Sequence, residues 1–160
     1  MLDADGLNTV SRYGVEISYP AGCVLTPHLL EAARLLGISA EQVKETLADA
    51  GQRLSDRVGG TAVLKDAATL VVSGDQPVYY NSSGNNGMAT GGSGDVLSGM
   101  IVSLLGRGME CSEAAALGVY IHGLAGDHAA EIFGYNSMLA SDIIESISSV
   151  LGGISDESVL

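Results

Sequence analysis

The chain has 160 residues, 46% hydrophobic and 16% charged, with 19 acidic against 7 basic side chains for a net charge of −12. That is a globular composition rather than a disordered one, and its acidity argues against an extended nucleic-acid backbone as partner. No run of 18 apolar residues predicts a membrane span, and Met1–Asp5 lacks the basic and apolar regions of a signal peptide, so a cytoplasmic protein with reduced Cys23 and Cys111 is expected.

In chain order, Met1-Leu2-Asp3 reads as the end of a buried strand. Asp3 and Asp5 then lie where open α/β sheets bind ligands, either helping a magnesium ion or substrate or merely terminating the strand. Cys23-Val24-Leu25 is a second short strand. Thr26 as N-cap and Pro27 as first helical residue predict a helix with Leu29, Leu30, Ala33 and Leu36 on its apolar face, ended by Gly37. Ser39 and Gln42 form a capping box that opens a second helix, with Val43, Leu47, Leu54 and Val58 inward and Gly59-Gly60 at its end. Strand character follows over residues 61–64 and 69–73, and Val78-Tyr79-Tyr80 after a Gly74-Asp75 turn suggests a hairpin. A loop of small polar residues spans 81–93. Helices are expected over about 94–107, 112–133 and 141–151, with a short, acidic, frayed tail over 152–160. Strands interleaved with helices predict an α/β layered sheet in one domain.

Chemistry concentrates in Asn85-Asn86-Gly87-Met88-Ala89-Thr90-Gly91-Gly92-Ser93-Gly94-Asp95-Val96-Leu97-Ser98-Gly99. Gly91, Gly92 and Gly94 allow positive φ and close approach of backbone to a ligand. The helix that begins near Gly94 would aim its free N–H groups and positive dipole end into that loop. This is an anion site built without lysine or arginine, as an acidic chain requires. Asp95, in the first helical turn, is either an ordinary first-turn acid or a general base beside bound phosphates. The run is neither a Walker A loop nor a GxGxxG turn. His122, in an apolar helix, reads as a core histidine bonded to backbone rather than a ligand. His128 with Asp127 and Glu131 reads as a solvated helix face rather than a metal cluster.

The string Met88–Leu97 resembles the signature of the ribokinase-like fold in its NAD(P)H-hydrate dehydratase branch, with Ser93 where threonine is usual. Further segments follow in the family's order: Leu2–Asn8; Leu25-Thr26-Pro27-His28 with Glu31, Ala32 and Leu35; Val63-Leu64-Lys65 with Thr69; and residues 117–127 and 139–144. The resemblance implies that residues 1–151 are the C-terminal portion of such a domain, whose sheet lacks its N-terminal part. It implies nucleotide-dependent dehydration of hydrated NADH or NADPH, with ADP converted to AMP and phosphate. ADP rather than ATP suits the Ser93 form of the loop, and Mg2+ would accompany it. Asp95 would be the catalytic base. Lys65, Asp66, Ala67, Ala68, Thr69, Asn85, Gly91, Gly92, Ser93 and Gly94 would bind the nucleotide; His28 and Glu31, with Asp95, would bind the substrate. Asp66 stands where the family has glycine, and Leu29-Leu30 where it has Pro-Gly. A homo-oligomer, or association with the missing N-terminal part, would cover the exposed sheet. The alternatives are a ribokinase-like kinase of a vitamin or sugar alcohol and a non-catalytic nucleotide-binding fragment.

Overall fold

Four short strands form one sheet in the order β1 (Val24–Leu25), β2 (Thr61–Leu64), β3 (Leu70–Ser73), β4 (Tyr79–Tyr80). The computed structural model describes residues 1–13, 19 and 22–157. β1 and β2 are parallel, whereas β3 and β4 are antiparallel to their neighbours, with Val63 opposite Val71 and Leu70 opposite Tyr80. The hairpin expected around Gly74 is therefore present. Leu2 adds a parallel bridge to Leu25, donating its amide to Val24 O at 2.8 Å. The opening residues are thus a strand end, as their apolar character suggests.

All four residues of β2 are buried because helices cover both faces of the sheet. Alternation along the strands divides the core in two. Leu25, Ala62, Leu64 and Leu70 pack with α1 (Ala4–Tyr13), α2 (Leu29–Leu36) and α4 (Leu47–Val58). Val24, Val63 and Val71 meet Leu97, Ile101, Ala115 and Val119 from α5 (Ser93–Gly106) and α6 (Cys111–Phe133). Each such buried Leu or Val is worth about 1.5–3 kcal/mol relative to exposure. A third cluster joins α6 to α7 (Ala140–Glu157) through Ala125, Ala129, Met138 and Ile143.

Local chemistry shifts several boundaries. The N-cap of α2 is His28 rather than Thr26, and Pro27 precedes the helix. Thr26 directly follows β1, and its amide donates to Leu2 O at 3.2 Å, so its backbone is already engaged by the opening segment. The predicted second helix is two, α3 (Ala40–Glu45) and α4, broken at Thr46. There the hydroxyl donates to Gln42 O at 2.8 Å, a back-bond that bends helices. The Ser39–Gln42 capping box is formed. Helix α1 carries no signal singled out in the sequence, and α7 runs on to Glu157, into the segment read as a tail. Cys23 and Cys111 are both free thiols.

Candidate active site

Three neighbouring parallel segments end side by side, at Asp3, Thr26 and Lys65. Into the same place points the N-terminus of α5. The Lys65 ammonium lies 3.4 Å from where a Cβ on Gly94 would stand. The site thus sits outside the carboxyl ends of the strands, where layered α/β sheets hold ligands.

The glycine loop feeds α5 through Gly92, whose φ of 90° makes it the N-cap without any capping side chain. Of the three glycines expected to need positive φ, only Gly92 has it; Gly94 already lies inside the helix, where its conformation is ordinary. The amides of Gly94 and Asp95 find no acceptor among the described residues, as the first turn of a helix requires when nothing caps it. Unpaired donors and a positive helix end make an anion site, and the expectation of one built without lysine is corrected by the Lys65 ammonium that stands beside Gly94. Gly92→Val places a β-branched residue at positive φ, with its Cβ about 3.2 Å from Ala140 Cβ. It is expected to cost roughly 1–3 kcal/mol and to weaken ADP binding, read by thermal melts and calorimetry.

Asp95 is exposed and makes no hydrogen bond or ion pair among the described residues. It lies at one end of an open cleft of about 890 Å³ between α5, α6 and α7, lined mostly by apolar side chains such as Val96, Met100, Leu117, Ile121, Ile144 and Leu151. A carboxylate with no internal partner, next to unpaired amides, is free to act as a base.

Ser93 is buried, its Oγ 3.4 Å from His122 Nε2. Burial depresses the His122 imidazole most; a hydrogen bond to the Ser93 backbone opposes this and the Lys65 charge adds to it, leaving a pKa of about 4. His122 is therefore a neutral core histidine whose partner belongs to the anion loop. Unfolded, the ring titrates near 6.5; folded, it resists protonation. Stability is full above the unfolded value and drains as pH falls toward 4, by up to about 3 kcal/mol. The urea midpoint should fall over this range, and His122→Gln should remove most of the slope.

Asn85 spends both polar atoms inside the chain: Oδ1 accepts from the Gly87 amide at 3.0 Å and Nδ2 donates to Asp127 Oδ1 at 2.9 Å. Asp127 Oδ2 also accepts from the Gly84 amide at 2.8 Å. Asp127 therefore anchors the loop to α6, while His128 pairs with Glu131 at 3.8 Å. Among the described residues no three metal-ligating side chains converge. The bed of this loop is glycine: Ser83 lies on Gly123 and Met88 on Gly126.

His28 and Glu31 cap α2. His28 Nδ1 accepts from the Leu30 and Glu31 amides, and the buried Glu31 accepts from the His28 amide at 2.9 Å. His28 itself is half-exposed and bridges to Lys65, so it stands at the site's rim. Asp66 is half-buried, and Ala67 and Ala68 are exposed on the bend after β2; Thr69 O accepts from the Asn81 amide at 2.9 Å. Asp3 accepts from Lys65 Nζ at 2.9 Å and from Ser98 Oγ at 2.5 Å. Burial raises its carboxyl, but these hydrogen bonds and the lysine's charge outweigh that and hold it below its ordinary value. Ser98 and Asp127 are contributors that sequence reasoning missed; neither lies near its partners along the chain.

Residues 1–149 match the family described as NAD(P)H-hydrate dehydratase. The chain belongs to that family. It is 43% identical over its whole length to the bifunctional NAD(P)H-hydrate repair enzyme Nnr of Thermofilum pendens, of which it spans 31%. Over 89% of its length it is 45% identical to the ADP-dependent (S)-NAD(P)H-hydrate dehydratase of Neisseria meningitidis, spanning half of that protein. The ADP/ATP-dependent NAD(P)H-hydrate dehydratase of Bacillus subtilis, crystallised with ATP and Mg2+, superposes with a TM-score of 0.83 at 26% identity, covering 94% of this chain and 53% of that one. The α/β fold is accordingly that of the ribokinase-like NAD(P)H-hydrate dehydratases. The chain spans half or less of the length of these two curated relatives. No helix among the described residues is long and apolar enough to cross a membrane.

Proposed function

We propose that this chain carries the nucleotide and phosphoryl-transfer part of an ADP-dependent NAD(P)H-hydrate dehydratase. The observation that supports it most is the unpartnered Asp95 carboxylate, three residues past the uncapped Gly92 turn and beside the unpaired amides of Gly94 and Asp95. Hydroxide is a poor leaving group. The hydrate's hydroxyl would lose its proton to Asp95 and attack the β-phosphorus of ADP, releasing AMP. The phosphorylated ring then expels inorganic phosphate, pushed by the ring nitrogen, and loses a ring proton to give NADH or NADPH. The amides of Gly94 and Asp95 meet the charge that develops on the phosphoryl oxygens, and such preorganised donors usually supply the largest catalytic share. Lys65 stands on the nucleotide side, with His28 at the rim for substrate.

Magnesium would enter on the nucleotide's phosphates, since among the described residues no three metal-ligating side chains converge. Asp3, already holding an ammonium, is poorly suited to a cation.

The test mixes hydrated NADH, ADP and Mg2+ with the chain. Recovery of absorbance at the NADH band, with AMP formed in equal amount, supports the dehydratase. Phosphorylation of an unrelated alcohol with the hydrate untouched supports the kinase instead. ADP binding without turnover, unaltered by Asp95→Ala, marks a binding module.

The apolar cleft bears on assembly. Ile144 and Leu151 are exposed in it, beside Val96 and Met100 of α5 and the exposed Leu117 of α6. Self-association is expected, so sedimentation should give a species heavier than 16.3 kDa that Ile144→Asp returns to monomer. A wild-type monomer at high concentration removes the homo-oligomer reading.

A further inference from the structure

Asp3 joins parts of the chain that the sequence keeps far apart. Its Oδ1 accepts from the Lys65 ammonium, 62 residues away, at 2.9 Å, and its Oδ2 from Ser98 Oγ, 95 residues away, at 2.5 Å. Oδ1 also accepts from the Ala4 amide at 2.9 Å, which fixes the carboxylate's own orientation. Thr26 Oγ1, fully buried at the adjoining strand end, has no hydrogen bond of normal geometry. A carboxylate needed only to end a strand would not gather a cation and a hydroxyl from two other elements.

The partners have a shared consequence. Ser98 lies on α5 one turn beyond Asp95, and Lys65 closes β2, so Asp3 fixes the distance between that strand end and that helix. An ammonium has three protons and Asp3 takes one. The others remain beside Gly94, 3.4 Å from where its Cβ would stand, where the helix amides are unpaired.

We infer that Asp3 is a positioning residue: it holds the Lys65 ammonium against the first turn of α5, so that lysine and helix amides form one cradle for a nucleotide phosphate. The inference rests on the proposed function, because it takes that helix end as the phosphate site. A free lysine on its four-carbon stem would have to be ordered by the ligand itself; a lysine already paired does not. The Asp3–Lys65 pair is neutral, so the anion is recognised by oriented donors at short range rather than by net positive charge, which this acidic chain lacks.

Lys44 and Lys65 are the only lysines, so Lys44 serves as an internal reference. Lysine acetylation rates by mass spectrometry and ADP binding by calorimetry are measured for wild type, Asp3→Asn, Asp3→Glu, Lys65→Met and the Asp3→Asn/Lys65→Met double variant. Asp3→Asn should raise Lys65 acetylation several-fold relative to Lys44. It should also weaken ADP binding about tenfold, the scale of one charge-assisted hydrogen bond, and should add nothing to the loss in Lys65→Met. Asp3→Glu keeps the charge while displacing the ammonium, and should show a smaller loss of the same kind. If a folded Asp3→Asn or Asp3→Glu melts lower but binds ADP as wild type does, the pair is only a structural tie and the inference is overturned. If the wild type binds no ADP, the nucleotide reading falls and the cradle with it; unchanged affinity beside exposed Lys65 sinks the inference alone.

Discussion

Asp95→Asn is expected to remove turnover of hydrated NADH while leaving ADP binding within a few-fold of wild type. Asparagine keeps the shape and the first-turn position but has no lone pair basic enough to take a hydroxyl proton, and loss of a general base costs about 10²–10⁴-fold. The fold should not notice. Asp95 is exposed and bonds to nothing among the described residues, so its contribution to stability is at most the interaction of a first-turn acid with the helix end, about 0.3–1 kcal/mol. The measurement is a paired one, absorbance recovery for turnover and calorimetry for ADP. Preserved turnover would take Asp95 out of the mechanism. A loss of affinity as large as the loss of rate would instead make it a ligand-holding group.

The largest effect on stability is expected from a residue remote from the chemistry. Gly123 has no positive φ to explain it. What it provides is room: a Cβ there would stand 2.1 Å from Ser83 Oγ and 2.7 Å from the Ser83 carbonyl carbon. The second contact is backbone, so no rotamer change relieves it. Ser83 would have to leave α6, breaking the bond from its hydroxyl to Tyr120 O at 2.9 Å. Gly123→Ala should therefore cost about 3 kcal/mol, or roughly 6–12 °C in Tm. It should also weaken ADP binding, because the displaced loop segment runs directly into Gly84, Asn85 and the glycine turn. Gly126→Ala meets Met88 Sδ at the flexible end of a side chain and should cost less. Gly99→Ala, with nothing within 4 Å on the same helix as Asp95, should be neutral or slightly stabilising. Equal melting temperatures for the three variants would refute this account of α6.

The site was partly legible because its central feature is local. A glycine-rich turn feeding a helix, with an acid in the first turn, needs only adjacent residues, and these stand where the sequence puts them. The capping box at Ser39 and the hairpin after Gly74 follow from neighbours in the same way. The α2 start was misread because Thr26 satisfies the local cap rule, yet its amide was already engaged by Leu2, which no local rule can see. Asn85, expected on the nucleotide, has its amide group occupied by Gly87 and Asp127.

The sequence by itself therefore determined the alternation of strands and helices and the pairing of a glycine hinge with Asp95, because each follows from backbone freedom and periodicity within a few residues. Only the tertiary structure decided that Asp3 grips Lys65 and Ser98, that Asp127 ties down the loop, and that Gly92 is present for its conformation but Gly123 for its lack of a side chain. Those outcomes depend on parallel strand ends being brought level by hydrogen bonding across the sheet, and on one helix packing against a loop some 40 residues earlier. Contacts between residues so distant in sequence leave no periodic trace along the chain.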